Sequence, residues 1–374
     1  GSNALLLAAD NATRIRFAPS QDFNGTATFD FHGWDQSDGA ANGSRAMVSG
    51  NSGTDKPFSV ASEAATITIT AVNDRPGITM PASVTANEGD TPTIDFAGLI
   101  SVSDVDSTIG FLPANAQWSL TVSIPANTGT LNLFTGTGIG GVNPGNIVGA
   151  GTRSVSLLGS ITELNNSLLT LTYQAPNSDF NNLTNGGAVV LTATIDDRGN
   201  TPSPAMSYSQ SLSISVNPVN DAPIFTKGSN QAILEDAGLK TISNWATSIA
   251  RGPVTASDEV GQTLTFTVER APTDTNELQF AVDPMIIPNG TLSYRVGPDE
   301  NGVAIFRVQL KDDGGSSFGG NDTSSWQTFT ITVTPVNDVP SFTLPSTSFT
   351  RPENTADTDA PTTAAGFAAN IFKG

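Results

Sequence analysis

The chain has 374 residues, with 16 Lys and Arg against 35 Asp and Glu, and its formal net charge at pH 7 is −19. This length accommodates two or three domains, and the negative charge argues against nucleic acid and anionic membranes as partners. The absence of cysteine excludes disulfides and thiolate zinc sites, and one histidine, His32, cannot build a histidine-rich metal cluster. The acidic excess instead fits carboxylates that hold hard cations.

In chain order, the first clear secondary-structure signal is a strand that runs into Asn73, Asp74 and a proline. Residues 66–72 alternate apolar and hydroxyl side chains, and this period of two predicts a strand with one buried face. Pro76 cannot donate to a sheet and keeps the residue before it extended. The same pattern recurs at 212–223 and 329–340. We therefore predict the last strand of a module and a stiff linker at each place, about 120 to 150 residues apart, which is a domain length.

The same order of landmarks surrounds all three stretches. An acidic turn, a strand and an acidic loop precede each last strand, and a Glu and an early acidic loop lie further upstream in the two longer modules. Because ordered landmarks recur together, we predict homologous modules. The predicted divisions are 1–73, the C-terminal part of a module; 74–220 and 221–337, two complete modules; and 338–374, the start of a truncated module.

Helices and long loops form a smaller part of the prediction. Residues 160–168 and 244–249 are each predicted to hold one or two helical turns. The polar stretch from Trp34 to about Ser62 has no periodicity and is predicted to be a long loop. Residues 136–141 are glycine-rich but lack the Lys-Ser/Thr ending of a phosphate loop, so they are predicted to form a flexible hairpin. The tail at 356–374 is predicted to be disordered.

Oxygen-bearing side chains recur at fixed places in each module. Since the loops of a Greek-key sandwich gather at its two ends, we expect the early acidic loop and the loop after the penultimate strand to meet the preceding linker. The first-strand Glu and the acid before the penultimate strand should meet the following linker. Calcium takes about six to eight oxygen ligands and fits this set better than magnesium or zinc. The candidate ligands are Asn73, Asp74, Glu88, Asp104, Asp106, Asp179, Asp197, Asn220, Asp221, Glu235, Asp258, Glu259, Asp299, Asp313, Asn337 and Asp338.

These ligands are predicted to divide between successive linkers. Asp197 should face the first linker together with Asn73, Asp104 and Asp106. Another set should converge at the second linker, namely Glu88, Asp179, Asn220, Asp221, Asp258, Glu259 and Asp313.

Over nearly its whole length the chain resembles the cadherin-like tandem repeats of large bacterial surface adhesins. Residues 193–202 resemble the Ala-x-Asp-x-Gly-x-Pro loop of cadherin repeats, with one extra residue before the Asp, and residues 104–106 match their Asp-x-Asp loop. Residues 219–223 are similar to the linker core but lack its leading Asp and final Asn. Asn181 stands where the repeats have Glu, and Asp258-Glu259 replaces Asp-x-Asp in the later module. The resemblance implies extracellular, calcium-stiffened adhesion and no catalysis.

Three other interpretations remain open at the level of the sequence. The acidic loops are also typical of solvated turns that bind no metal. A carbohydrate-binding or accessory module of a secreted polysaccharide-degrading enzyme would present an exposed coplanar aromatic pair, whereas Trp34, Trp118, Trp245 and Trp326 are predicted to be core or strand-face residues. A glycosidase would need two carboxylates facing each other across a cleft, of which the sequence gives no sign.

We therefore predict an all-β chain of tandem Greek-key β-sandwich modules, cadherin- or immunoglobulin-like, in an elongated array. The predicted function is that of a calcium-binding cell-surface adhesin segment, a calcium-stiffened stalk for cell adhesion that is extracellular, either on the cell surface or secreted. Its expected partners are calcium ions and surface glycans or other adhesin modules, without nucleic acid or membrane insertion. We expect no enzyme activity, because a triad or nucleophile elbow is not found.

Overall fold

The structure is a computed structural model that describes residues 3–89, 93–108, 116–134, 140–200, 204–344 and 368–372. The chain divides into two compact units, Gly1–Pro218 and Val219–Gly374. The predicted hairpin at 136–141 and the predicted disordered tail at 356–374 fall largely outside the described residues.

The first unit begins with two separate two-stranded antiparallel sheets. Its early strands are β1 Ala4–Leu5, β2 Gly25–Trp34, β3 Arg45–Ala46 and β4 Phe58–Ile69, with β1 paired to β3 and β2 paired to β4. The prediction of a loop up to about Ser62 is wrong at two places, since β3 lies within it and β4 starts at Phe58. Phe58 is buried against Leu6 and Val48, and this small apolar cluster fixes the start of the strand.

The rest of the first unit is a β-sandwich with two short helices. Its elements are β5 Gly77–Thr79, β6 Ser83–Asn87, β7 Thr93–Asp95, β8 Ser101–Ser103, β9 Trp118–Ser123, β10 Thr130–Asn132, β11 Ile147–Val148, β12 Ser154–Gly159, α1 Ile161–Leu168, β13 Thr172–Gln174, α2 Asn182–Asn185, β14 Val189–Asp196 and β15 Ser207–Asn217. The sheets are β11-β12-β9-β14-β15-β6, β10-β13-β7 and β5-β8. Alternate residues of these sheets share one hydrophobic core, as the period-two pattern requires.

The helix prediction at 160–168 is confirmed. Ser160 caps α1, because its side chain accepts the N–H of Glu163 and the Glu163 side chain accepts the N–H of Ser160, the reciprocal arrangement of a capping box. The short helix α2 was not predicted. It is capped by Asn181, whose side chain accepts the N–H groups of Leu183 and Thr184.

The second unit is a β-sandwich with the same last hairpin. Its elements are β16 Ile224–Thr226, β17 Gln231–Leu234, β18 Lys240–Ile242, β19 Thr247–Ala250, β20 Thr265–Arg270, β21 Phe280–Ile286, β22 Leu292–Val296, β23 Gly302–Lys311, β24 Gln327–Thr334, β25 Ser341–Thr343 and β26 Ala369–Phe372. The sheets are β17-β24-β23-β20, β18-β22-β21, β16-β19 and β25-β26. Their inner residues from Phe225 to Val333 form a second core.

The helix prediction at 244–249 is wrong. Residues from Thr247 belong to β19, which pairs with β16. Asn244 and Ser248 have positive φ angles of 53° and 51°, which a right-handed helix does not allow. Residues 244–246 form a turn and bend instead, in which Trp245 and Ala246 are buried.

The two sandwiches repeat one arrangement around their last two strands. In the first unit, β14 and β15 are flanked by antiparallel β9 and parallel β6. In the second, β23 and β24 are flanked by antiparallel β20 and parallel β17. The loops that follow β14 and β23 are therefore presented in the same way within each unit, and the predicted all-β sandwich fold is confirmed. Among the described residues, every helix is too short or too polar to cross a membrane.

Candidate metal sites

The first linker is held to its sandwich by buried carboxylates, which we call the Asn73 cluster: Asn73, Asp104, Asp106 and Asp197. Asn73 donates its side-chain Nδ2 to Oδ2 of Asp197 across 2.7 Å, and the backbone N–H of Asp74 donates to Oδ2 of Asp106 across 2.8 Å. All four side chains of the cluster are buried. Asp106 is 1% exposed, and its Oδ1 has no hydrogen-bond partner among the described residues.

Local turns position these acids. Asp104 precedes the 3-10 helix Val105–Thr108, and its Oδ1 accepts the backbone N–H of Asp106 across 2.9 Å. At the other side of the cluster, Oδ1 of Asp197 accepts the N–H groups of Gly199 and Met206, each across 2.9 Å. Short acidic side chains that accept nearby backbone N–H groups fix such turns.

The second linker repeats this geometry in the other unit, in what we call the Asn220 cluster: Asn220, Glu259 and Asp312. Asn220 donates Nδ2 to Oδ1 of Asp312 across 3.0 Å, and the backbone N–H of Asp221 donates to Oε1 of Glu259 across 2.6 Å. Oε2 of Glu259 and Oδ2 of Asp312 are buried and unpartnered among the described residues. The exposed fractions of these two side chains are 4% and 2%.

Close backbone approach explains two glycines around the Asn220 cluster. A Cβ atom on Gly252 would clash with Oε2 of Glu259, and one on Gly314 would clash with the amide of Asn220. Substitution at either position would push the cluster apart, because the clashing atoms belong to the buried Glu259 and to Asn220, which is already held by its contact with Asp312.

Burial dominates the electrostatics of both clusters. It raises the pKa of Asp104, Asp106 and Asp312, because the charged carboxylate loses water. The pKa of Glu259 rises to about 7, chiefly through burial and further through the neighbouring carboxylates of Asp221, Asp258 and Asp312. Carboxylates this close to one another repel unless a proton or a cation compensates their charge.

The loop after β23 offers two adjacent acids, and the buried one is not the predicted one. Asp313 is exposed, and its Oδ1 accepts the N–H of Thr263 across 2.7 Å. Asp312 faces the Asn220 cluster instead. Strand alternation carries this signal, since Asp312 shares the parity of the buried residues Val308 and Leu310. Asp258 lies half-buried in the 3-10 helix Ser257–Gly261.

In each unit, a glutamate that is paired with an asparagine meets the last strand at its far end. In the first unit, Asn181 donates Nδ2 to Oε2 of Glu88 across 2.5 Å; in the second, Asn301 donates Nδ2 to Oε2 of Glu235 across 3.3 Å. Each Glu also donates its backbone N–H to the last strand, to the carbonyls of residues 217 and 334. Asp179 is buried with Oδ2 unpartnered among the described residues.

Near Glu235, three acids at the surface form what we call the exposed triad: Asp236 and Asp299, which are exposed, and Asp338, which is half-buried. One carboxylate oxygen from each lies within 4.8 Å of the others. The pKa of Asp338 is raised by partial burial and by the charges of Asp236, Asp299 and Glu235. Asn337 is exposed, and its Nδ2 donates to the carbonyl of Asp338. The sequence prediction included Asp299, Asn337 and Asp338 but missed Asp236.

In the part of the chain that the structure describes, the exposed aromatic pairs are tilted and form no flat platform. The rings of Phe29 and Phe31 are tilted by 43°, and those of Phe17 and Phe23 by 58°. The guanidinium of Arg307 lies over the ring of the exposed Trp326, 4.3 Å from its centroid. As predicted, Trp118 and Trp245 are core residues.

No family model and no curated protein sequence matches the chain. Among solved structures, repeats EC1–2 of human protocadherin-24 are 15% identical to it, covering 69% of this chain and 98% of theirs with a TM-score of 0.33. Repeats EC1–2 of chicken VE-cadherin are 18% identical, covering 70% and 98% with a TM-score of 0.25. A titin I-band fragment, I67–I69, is 11% identical, covering 71% and 66% with a TM-score of 0.26. The fold class itself rests on the strands and their pairing: the chain is an all-β protein with cadherin- or immunoglobulin-like sandwiches.

Proposed function

We propose that this chain is a calcium-binding segment of an extracellular adhesin, in which calcium fixes each linker to the sandwich that follows it. The observation that carries the proposal is the repetition, in both units, of buried carboxylate oxygens beside the linker that have no hydrogen-bond partner among the described residues: Oδ1 of Asp106 in the Asn73 cluster, and Oε2 of Glu259 and Oδ2 of Asp312 in the Asn220 cluster. A buried, unpaired carboxylate is costly, and a cation at this place removes the cost.

The donor set favours calcium over other metals. The clusters contain carboxylate and amide oxygens and no sulfur or imidazole, which excludes the ligands that zinc prefers. The charged groups that raise the pKa of Asp106, Glu259 and Asp312 are other carboxylates. A bound cation would compensate this concentration of negative charge. Calcium accepts flexible oxygen coordination, whereas magnesium keeps its waters.

The residues of this chain would act on the linker through their own contacts. Asn73 and Asn220 already bind the acid after the penultimate strand, and the following Asp donates its N–H to the early-loop acid. When bound, calcium would supply the positive charge that holds these carboxylates together. The linker would then lose its freedom to leave the sandwich, which is the basis of the proposed stalk.

The remaining predicted ligands and the module boundaries belong to the same proposal. We assign Glu88 and Asp179, and Glu235 with the exposed triad, to the far ends of the modules 74–220 and 221–337. Residues 1–73 then supply the last strands of a preceding module and residues 338–374 the first strands of a following one. The segment would serve cell adhesion at a cell surface or in a secreted protein.

Calcium titration of the whole chain tests the binding proposal. Extracellular sites bind calcium at about 0.1–1 mM, so about 5 mM calcium should add roughly 1–2 kcal/mol per site and raise the melting temperature by several degrees. Glu259→Gln should remove the gain in the second unit, whereas Glu269→Gln, in an exposed ion pair with Arg307, should keep it. A melting temperature that is equal in calcium and in chelator contradicts the proposal.

The adhesive role has a separate test. Beads coated with the chain should aggregate in calcium and disperse in chelator if its modules bind other copies, and beads coated with the Glu259→Gln variant should aggregate less. Calcium binding without aggregation would contradict self-adhesion and leave the metal sites in place.

A further inference from the structure

Asp104 is tied to the core of the first sandwich by a tryptophan. The indole Nε1–H of Trp118 donates to Oδ2 of Asp104 across 2.7 Å, while Oδ1 of Asp104 accepts the N–H of Asp106. Trp118 is 2% exposed and belongs to the core. Both oxygens of Asp104 therefore point to donors of the protein, whereas Asp106 keeps the unpartnered oxygen.

The second sandwich lacks this pair. Asp106 and Glu259 each accept the N–H of a linker Asp, so the position of Asp104 corresponds to Ser257, two residues before Glu259. Strands β9 and β20 occupy equivalent places beside β14 and β23. In this alignment Leu264, the residue before Thr265, corresponds to Trp118. The Asn220 cluster is supported differently, since Gln262 donates Nε2 to Oδ1 of Asn220 across 2.5 Å.

We infer that Asp104 and Trp118 are positioning residues for the Asn73 cluster and that Asp106 is the acid that meets the cation there. This inference rests on the proposed calcium site. A carboxylate held by a buried indole N–H cannot rotate, and Asp104 in turn fixes the turn that aims Asp106 at the linker. Partners of this kind orient a metal ligand without binding the metal, and their loss lowers metal affinity by about 10–100-fold.

The arrangement also makes the indole a reporter of the site. Hydrogen bonds that share a carboxylate polarise one another in a buried site, so a cation beside Asp106 changes the bond between Trp118 and Asp104. The Nε1–H resonance of Trp118 should therefore shift with calcium, with the same midpoint as the backbone N–H of Asp74. The indole of Trp245 donates to the carbonyl of Ser229 in the other core and should not shift.

The test compares Trp118→Phe with Trp245→Phe in the whole chain, with calcium alone as the probe. The amide resonances of Asp74 and Asp221 report the Asn73 and Asn220 clusters separately. We expect Trp118→Phe to weaken binding at Asp74 by about 10-fold or more and to leave binding at Asp221 unchanged. Trp245→Phe should leave both affinities unchanged.

Asp104→Asn separates positioning from direct coordination. If Asp104 only positions Asp106, Asp104→Asn and Trp118→Phe weaken binding by similar factors. Complete loss of binding in Asp104→Asn with unchanged affinity in Trp118→Phe overturns the inference. If Trp118→Phe does not fold, the unmodified chain still tests the inference. An Nε1–H resonance of Trp118 that does not shift with calcium, while the N–H resonance of Asp74 does, overturns the inference equally. Absence of any calcium-induced shift overturns the proposed calcium site, and this inference with it.

Discussion

Asp221 donates its backbone N–H to Oε1 of Glu259 across 2.6 Å and 38 positions of sequence. The other oxygen of the same carboxylate is buried without a partner among the described residues. One half of Glu259 therefore holds the linker, and the other half is directed at the place where we propose a cation. Linker position and the proposed cation binding would thus be coupled through a single side chain.

This coupling predicts opposite pH dependences with and without calcium. Burial raises the pKa of Glu259 from 4.5 to about 7, so the folded chain holds this proton more tightly than the unfolded chain. Without calcium, the stabilising contribution of Glu259 should be complete below about pH 4.5 and should be lost as the pH rises through about 7. Calcium needs the deprotonated carboxylate, so its affinity should fall about 10-fold per pH unit well below 7.

Thermal unfolding in chelator and calorimetric titration, each between pH 5 and pH 8, check both trends. The Glu259→Gln variant serves as the control, because it cannot titrate at this position. Calcium affinity that is the same at pH 5.5 and pH 8 would contradict the assignment of Glu259 as a ligand.

Asp312 and Asp313 form a matched pair for testing the Asn220 cluster. Asp312 is buried, and its Oδ2 has no hydrogen-bond partner within the described ranges, whereas Asp313 is exposed and accepts the N–H of Thr263. Asp312→Asn should weaken calcium binding to the second unit by at least about 10-fold, since loss of a ligand is expected to exceed loss of an outer partner. Asp313→Asn should change it little. Isothermal titration calorimetry measures the calcium affinity of both variants. A larger loss of affinity in Asp313→Asn than in Asp312→Asn would show that Asp313 is the ligand.

Two buried tyrosines predict opposite effects of removing a hydroxyl group. The hydroxyl of Tyr173 donates to the carbonyl of Thr128 across 2.6 Å, whereas that of Tyr294 has no partner among the described residues. Tyr173→Phe should lower the free energy of unfolding of its unit by about 1–3 kcal/mol, because the carbonyl of Thr128 loses its buried donor. Tyr294→Phe should leave stability unchanged or raise it. Urea unfolding measures both, and an equal loss in the two variants would be inconsistent with this account.

The hairpin β2–β4 should open more readily than the hairpin β14–β15. Phe29 and Phe31 on the apolar face of β2 are 37% and 50% exposed, while Ile195 in β14 is fully buried. A two-stranded sheet with an exposed apolar face has little independent stability, and exchange reports such local openings. Hydrogen–deuterium exchange should be faster in β2–β4 by orders of magnitude. Equal protection in the two hairpins would show that the exposed face is covered in solution.

Period-two alternation and turn residues determined much of this protein at the level of the sequence. They located the paired strands β2–β4, β14–β15 and β23–β24, the Asn-Asp pair that follows each of them, and the capped helix at Ser160. These features are local, because strand alternation and capping depend on neighbours within a few residues. The grouping of Asn73, Asp104, Asp106 and Asp197 also follows from where the loops of a sandwich gather.

Tertiary packing alone decided which side chains and backbone groups each acid contacts. Trp118 contacts Asp104 because β9 lies beside the early loop. Asn181 both caps α2 and donates to Glu88. The segment at 244–249 does not form a helix, because residues from Thr247 pair with β16 and because Trp245 is buried in the core. Each outcome depends on contacts between residues that are distant in sequence. Burial removes water from a carboxylate, so its hydrogen-bond donors are then the protein groups that the fold brings next to it.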